Sequence, residues 1–196
     1  MKGWPIACSF TALWVRALCP DHPPYNAAVV RIHTFDSPIG PLTACERAGR
    51  VCMLHFGEDG PLIDPILERW YPGEPRGRRA LPDVARVLQR YFGGDLAALD
   101  AIPAELNGTP FQKTVWQALR RIPAGATISY GELARRIGQP SSVRAVGAAN
   151  GANPVAVIIP CHRVIGSNGT LTGYGGGLDR KRWLLAHEGV VGPTLF

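Results

Sequence analysis

The chain has 196 residues, 46% of them hydrophobic and 18% charged, which fits a soluble globular protein of one large or two small domains. No uninterrupted apolar run is long enough to span a bilayer, which excludes a helical membrane protein. Five cysteines, an odd number without regular spacing, argue against a disulfide framework and for a reducing compartment, the cytoplasm.

Residues 1–28 begin with Lys2 and apolar residues in the manner of a secretion signal, but Pro5 and Arg16 interrupt the run and no small-residue cleavage site stands out. They are read as an extension without an assigned role. Three short strands come next, in "VVRIHTF", "PLTAC" and "VCMLHF", separated by the turn signals "DSPIG" and "ERAGR". Two helices come after them. In "LPDVARVLQRYF", Val84, Val87, Leu88 and Tyr91 recur at helical spacing behind Pro82. Residues 29–105 therefore form a small α+β domain, with "DLAALDAIPAELNG" as the connection to the C-terminal half of the chain.

Residues 106–196 read as mainly helical. Thr109-Pro110 supplies a cap and a first-turn proline for a helix with Phe111, Val115, Leu119 and Ile122 on one face, stopped by Pro123 and Gly125. In "SYGELARRIG", Ser129 and Glu132 have capping-box spacing and Gly138 can close the helix in a left-handed conformation. Pro140-Ser141-Ser142 then open a second helix, "VRAVGAAN". The pair is a helix-turn-helix candidate.

Charge supports that reading. From Pro110 onward ten Lys and Arg stand against three Asp and Glu, a balance of +7, which leaves −1 for the rest of a chain whose formal net charge is +6. A polyanion would dock on the C-terminal half. The second helix carries Arg144 near its start and then Gly147, Ala148 and Ala149, small enough to let backbone approach a groove. The plainer alternative is a packing pair with a solvated basic face.

The stretch "NPVAVIIPCHRVIG", residues 153–166, reads as a buried strand ending at Pro160, which cannot donate to a ladder, with Cys161 and His162 just beyond. A cysteine nucleophile acts as thiolate and needs a base or an electropositive surrounding at neutral pH. Neighbours on an extended chain point opposite ways, so His162 reaches the thiol only if the chain turns after Pro160 or a water intervenes. Asn153 has an amide able to tie the turn.

Together "ISYGELA", "RAVGAANGANP", "IPCHRVIG", "TGYGGG" and "WLLAHEG" resemble the O6-alkylguanine-DNA alkyltransferases, in particular their bacterial members. The match runs in order from about Thr109 to Gly189 and continues more weakly through "DSPIGPL". It implies a ribonuclease H-like N-terminal domain, a DNA-binding C-terminal domain and irreversible transfer of an alkyl group from guanine O6, or thymine O4, to Cys161. By the same resemblance His162 draws the thiol proton through a water, Glu188 holds the imidazole and Asn153 fixes the turn. Tyr130 helps to turn the nucleotide out, and Arg144 fills the gap left by the flipped base. Ser129, Gly147, Ala148, Ala149 and Asn150 accompany them at the DNA.

For the base pocket the resemblance implies carbonyls of Cys161 and Val164, with Tyr174, the amide of Gly175, Ala156 and Lys181. Gly175 stands where some relatives have serine and Ala156 where some have proline, so room for alkyl groups larger than methyl is expected. No cofactor is implied. The implied partner is double-stranded DNA bearing alkylated bases, met by a monomer. Zinc, which some members hold, is not expected from His33, Cys45, Cys52 and His55, whose spacing does not match theirs. Two rival readings of the residues are a cysteine hydrolase built on Cys161, His162 and Glu188, and a non-catalytic DNA-binding module.

Overall fold

A computed structural model describes residues 29–61 and 63–190; the extension of residues 1–28, with Cys8, Cys19 and His22, lies outside the described residues. The fold is α+β. Strands β1 (Val30–Phe35), β2 (Leu42–Arg47) and β3 (Arg50–Phe56) form an antiparallel meander, and β4 (Arg76–Arg78) joins β1 in parallel, giving the order β3-β2-β1-β4. The meander matches the expected strands, whereas β4 comes from an Arg-Gly-Arg triplet with no apolar pattern.

Helix α1 (Ile63–Trp70) covers one face of the sheet, where Ile63, Leu67 and Tyr71 meet Val30, Ile32, Cys45, Cys52 and Met53. Helix α2 (Pro82–Phe92) covers the other through Val84, Leu88 and Tyr91. With both faces covered, β2 is buried at five successive positions instead of alternating.

The core under α2 continues into the C-terminal half, so Leu54, Leu88 and Tyr91 belong to one cluster with Val115, Trp116, Leu119 and Val146. Within the connection, Ala98–Ala101 forms a 3-10 turn and Ala104 pairs with Val51. Helix α3 (Pro110–Leu119) starts in a full capping box: Thr109 accepts from the Gln112 amide and Gln112 Oε1 from the Thr109 amide.

Helix α4 (Tyr130–Arg136) has half of the expected box. Ser129 Oγ accepts from the Glu132 amide at 3.1 Å, but the Glu132 carboxylate turns to Arg135 and Arg136. Gly138 is left-handed at φ +73°, and the Gln139 amide returns to the Ala134 carbonyl, closing the helix before the turn into α5 (Val143–Gly151). Trp116 Nε1 donates to the Ala149 carbonyl at 2.8 Å and locks α5 onto α3. A two-residue parallel pair, β5 (Ile128–Ser129) with β6 (Val164–Ile165), and helix α6 (Leu178–His187) complete the fold. No helix among the described residues is long and apolar enough to cross a membrane.

Candidate active site

The apolar run before Cys161 is not the expected strand. Only Val155 bridges to Leu54: the Leu54 amide donates to the Pro154 carbonyl and the Ala156 amide to the Leu54 carbonyl, both at 3.0 Å. Beyond that bridge the chain satisfies itself through tight turns, Ile158 to Ala156, Ile159 to Val155 and Cys161 to Ile159. Val157 takes φ +68°, a left-handed conformation costly for a β-branched residue and sustained by complete burial. A ladder would have left Cys161 on a rigid edge. The turns instead deliver it into a 3-10 turn, Cys161–Arg163, with β3 as backing.

Asn153 ties these turns together. Its Oδ1 accepts from the Val155 amide at 3.0 Å, and its Nδ2 donates to the Ile159 carbonyl at 2.8 Å and to Cys161 Sγ at 3.1 Å. Burial pushes the Cys161 thiol up, against the Asn153 donor and the Lys181 charge, which pull it down. The resting thiol is therefore protonated at neutral pH, and attack requires a base.

His162 is fully buried, and burial holds its imidazole below the ordinary value, hence neutral; Arg163 and Lys181 push the same way, against Glu188. Its Nε2 meets Glu188 Oε1 at 3.0 Å, and its Nδ1 has no protein partner. Burial alone would raise the Glu188 carboxyl, but hydrogen bonds from His162 and Arg163, with their charge, hold it at about 2. Arg163 grips both carboxylate oxygens, Nε to Oε2 and Nη2 to Oε1 at 2.8 Å each, and Nη1 donates to the Ile122 carbonyl. Arg163, counted in the sequence among the cations facing a polyanion, is thus internal. Tyr91 Oη adds a further donor to Oε1 at 2.8 Å. Neither residue stood out in the sequence; for Arg163 the signal was a charge placed inside the apolar run.

A pocket of about 580 Å³ opens over Cys161, lined among others by Phe56, Asn150, Asn153, Ala156, Tyr174 and Gly175. Phe56 meets the Tyr174 ring edge-on at 5.7 Å, and a Cβ on Gly176 would come within 2.5 Å of Phe56, so the loop can pack there only as glycine. Two buried polar atoms on the pocket-lining residues, Tyr174 Oη and Asn150 Oδ1, have no protein partner.

Several expected site residues stand elsewhere. Lys181 is buried and donates to the Val164 and Thr172 carbonyls at 2.6 and 2.8 Å, so it clamps the loop from behind and occupies the Val164 oxygen expected to meet the base. Ala149 and Asn150, expected at the DNA, are buried because that face of α5 packs inward on α3; Asn150 Nδ2 reaches the Cys161 carbonyl at 3.4 Å. Ser129 serves as the cap of α4. Arg144 and Ala148 are exposed on the outer face of α5, and no carboxylate among the described residues pairs with Arg144. Tyr130 lies half-buried against Gly147, whose added Cβ would contact its ring at 3.8 Å. In the sheet, Cys45 and Cys52 are buried against α1, and no three ligand-type side chains converge among the described residues.

Fold and site together define a two-part protein in which a helix-turn-helix adjoins a buried cysteine backed by a histidine and an ionised carboxylate. The family models that match are the 6-O-methylguanine DNA methyltransferase ribonuclease-like domain over residues 30–106 and the DNA binding domain over residues 110–190. The chain is 47% identical over 171 residues to the methylated-DNA–protein-cysteine methyltransferase of Mycolicibacterium paratuberculosis, covering 86% of this chain and 99% of that one. It is 46% identical over 159 residues to the protein of the same name from Salmonella typhimurium, covering 79% and 93%. A crystal structure of Mycobacterium tuberculosis OGT in complex with DNA superposes with a TM-score of 0.68 at 44% identity, covering 82% of this chain and 92% of that one. The chain belongs to the 6-O-methylguanine DNA methyltransferase family.

Proposed function

We propose that the chain repairs double-stranded DNA directly, moving a methyl or larger alkyl group from guanine O6, or thymine O4, to Sγ of Cys161, one group per molecule. The observation that carries this reading is the Cys161 thiol facing an open pocket, with the Asn153 amide on its sulfur and a neutral imidazole next in the chain. The activity for which the family is named agrees with it.

His162 Nδ1 takes the thiol proton through an intervening water, since no direct bond joins the imidazole to Sγ, and Glu188 keeps the ring oriented through Nε2. The thiolate attacks the alkyl carbon in line; the S–C bond forms as the C–O6 bond breaks, and the thiol proton ends on the departing guanine. The Gly175 amide and Tyr130, whose phenol burial keeps protonated, stabilise the leaving base as an oxyanion hole would. A thioether has no ready leaving path, so the molecule is consumed.

Extruding the nucleotide costs roughly a few kcal/mol, offset by Arg144 entering the vacated stack from the exposed face of α5. Residues 29–105 act as scaffold and 106–196 as the DNA-binding and acceptor domain of a monomer in the cytoplasm, where its thiols stay reduced. The hydrolase and pure-binder alternatives gain no support from the family. With lesion duplex in excess over protein, loss of O6-methylguanine should plateau at one equivalent and be absent with Cys161→Ala; continued turnover would overturn the reading.

A further inference from the structure

Glu188 is anchored from two directions. His162 and Arg163 reach it from the 3-10 turn, whereas Tyr91 reaches it from α2, in the N-terminal half of the chain. Oε1 accepts from Tyr91 Oη at 2.8 Å and Arg163 Nη2 at 2.8 Å, and meets His162 Nε2 at 3.0 Å, while Oε2 accepts from Arg163 Nε at 2.8 Å. Tyr91 is wholly buried. Its ring lies edge-on to Phe92 at 5.2 Å and to His187 at 5.1 Å, and its backbone carbonyl meets His187 Nε2 at 2.8 Å. The packing of α2 on α6 therefore sets where the hydroxyl points.

We propose that Tyr91 is a positioning residue for alkyl transfer: its hydroxyl disperses the charge on Glu188 Oε1 and so keeps His162 a neutral proton acceptor at Nδ1. The proposal rests on the reading of Cys161 as acceptor. A buried carboxylate satisfied by several donors draws less on any one of them. Remove the phenolic donor, and Oε1 pulls harder on the imidazole Nε2–H, the imidazolium is favoured, and fewer molecules can take the thiol proton at a given pH. Other groups bear on the same balance. Arg163 and Lys181 disfavour the imidazolium, Glu188 favours it, and the Tyr174 phenol is kept protonated by burial and by Cys161, Tyr91 and Glu188, against the Arg180 charge. None of them replaces the Tyr91 donor on Oε1.

The test is single-turnover transfer by the full chain from a duplex with one O6-methylguanine, between about pH 5.5 and 9, across the imidazole range. Tyr91→Phe keeps the ring and removes only the hydroxyl. Its acid limb should move to higher pH by roughly half a unit or more, with the rate several-fold down on that limb and recovered at the alkaline end. Val84→Ala, a packing change two turns earlier on the same helix, should lower the melting temperature and leave the limb in place. A Tyr91→Phe profile superimposable on the unmutated one, a fall uniform across pH, or an equal limb shift in Val84→Ala would overturn the proposal. Failure of the unmutated chain to transfer at any pH would overturn the reading beneath it.

Discussion

Two regions of the molecule bury thiols, and they make opposite use of them. Cys45 and Cys52 lie in the sheet under α1 with no exposure, and Cys161 lies in the turn under the pocket with 5%. Burial raises all three thiols. In the sheet, the charges acting on Cys45 come from Cys52, Asp59 and Asp64, and all oppose ionisation; burial leaves Cys52 at about 11 even though the Tyr71 hydroxyl and the Arg47 charge pull it down. At the turn, Asn153 donates to the sulfur and Lys181 contributes a positive charge. Burial alone therefore does not mark a nucleophile. What sets Cys161 apart from Cys52 is the pocket open above its sulfur and the neutral imidazole next to it in the chain.

Breaking the wiring behind Cys161 should have the largest effect. Glu188→Gln leaves the Arg163 charge buried without its partner, so stability should fall by about 3 kcal/mol or more and transfer should be lost, as read by denaturant melts and single-turnover assays. Acid should act on the same group. Glu188 is held at about 2 when folded against an ordinary value of 4.5. Its contribution, about 3 kcal/mol, is present above the unfolded value and lost as pH falls from about 4.5 through about 2. Urea unfolding at a series of pH values should show that loss, reduced in Glu188→Gln.

Asn153→Ala removes the donor on Sγ and should slow transfer about a hundredfold in single-turnover assays, with duplex affinity held within about twofold. Cys45→Ala sharpens the comparison from the other side. It should cost about 1 kcal/mol in a thermal melt and leave the transfer rate unchanged; a slowed transfer would mean that the sheet thiols are part of the chemistry.

The sequence showed most of this arrangement where local chemistry decides it. The meander, the Thr109 and Ser129 caps, the Gly138 terminator and the Cys161, His162 and Asn153 cluster were legible because each depends on neighbours in the chain. The turns before Cys161 were not, because "PVAVII" has strand propensity and only docking on β3 leaves it a single bridge and a left-handed Val157. Arg163 read as surface charge and Lys181 as a contact in the base pocket, since nothing local told that Glu188 and two carbonyls would satisfy them inside. Helix α6 was hidden by its charged first half, "LDRKR", and Tyr91 looked like an ordinary core position because its partner lies 97 residues away.

Transfer to Cys161 is tested without intermediaries by the intact mass of the protein after incubation with a duplex carrying one O6-methylguanine, with peptide mapping and with Cys161→Ser in parallel. A single methyl adduct is expected on the peptide containing Cys161, absent from the variant. A protein that binds the duplex and gains no mass, or gains it on Cys45 or Cys52, would contradict the assignment of Cys161 as acceptor.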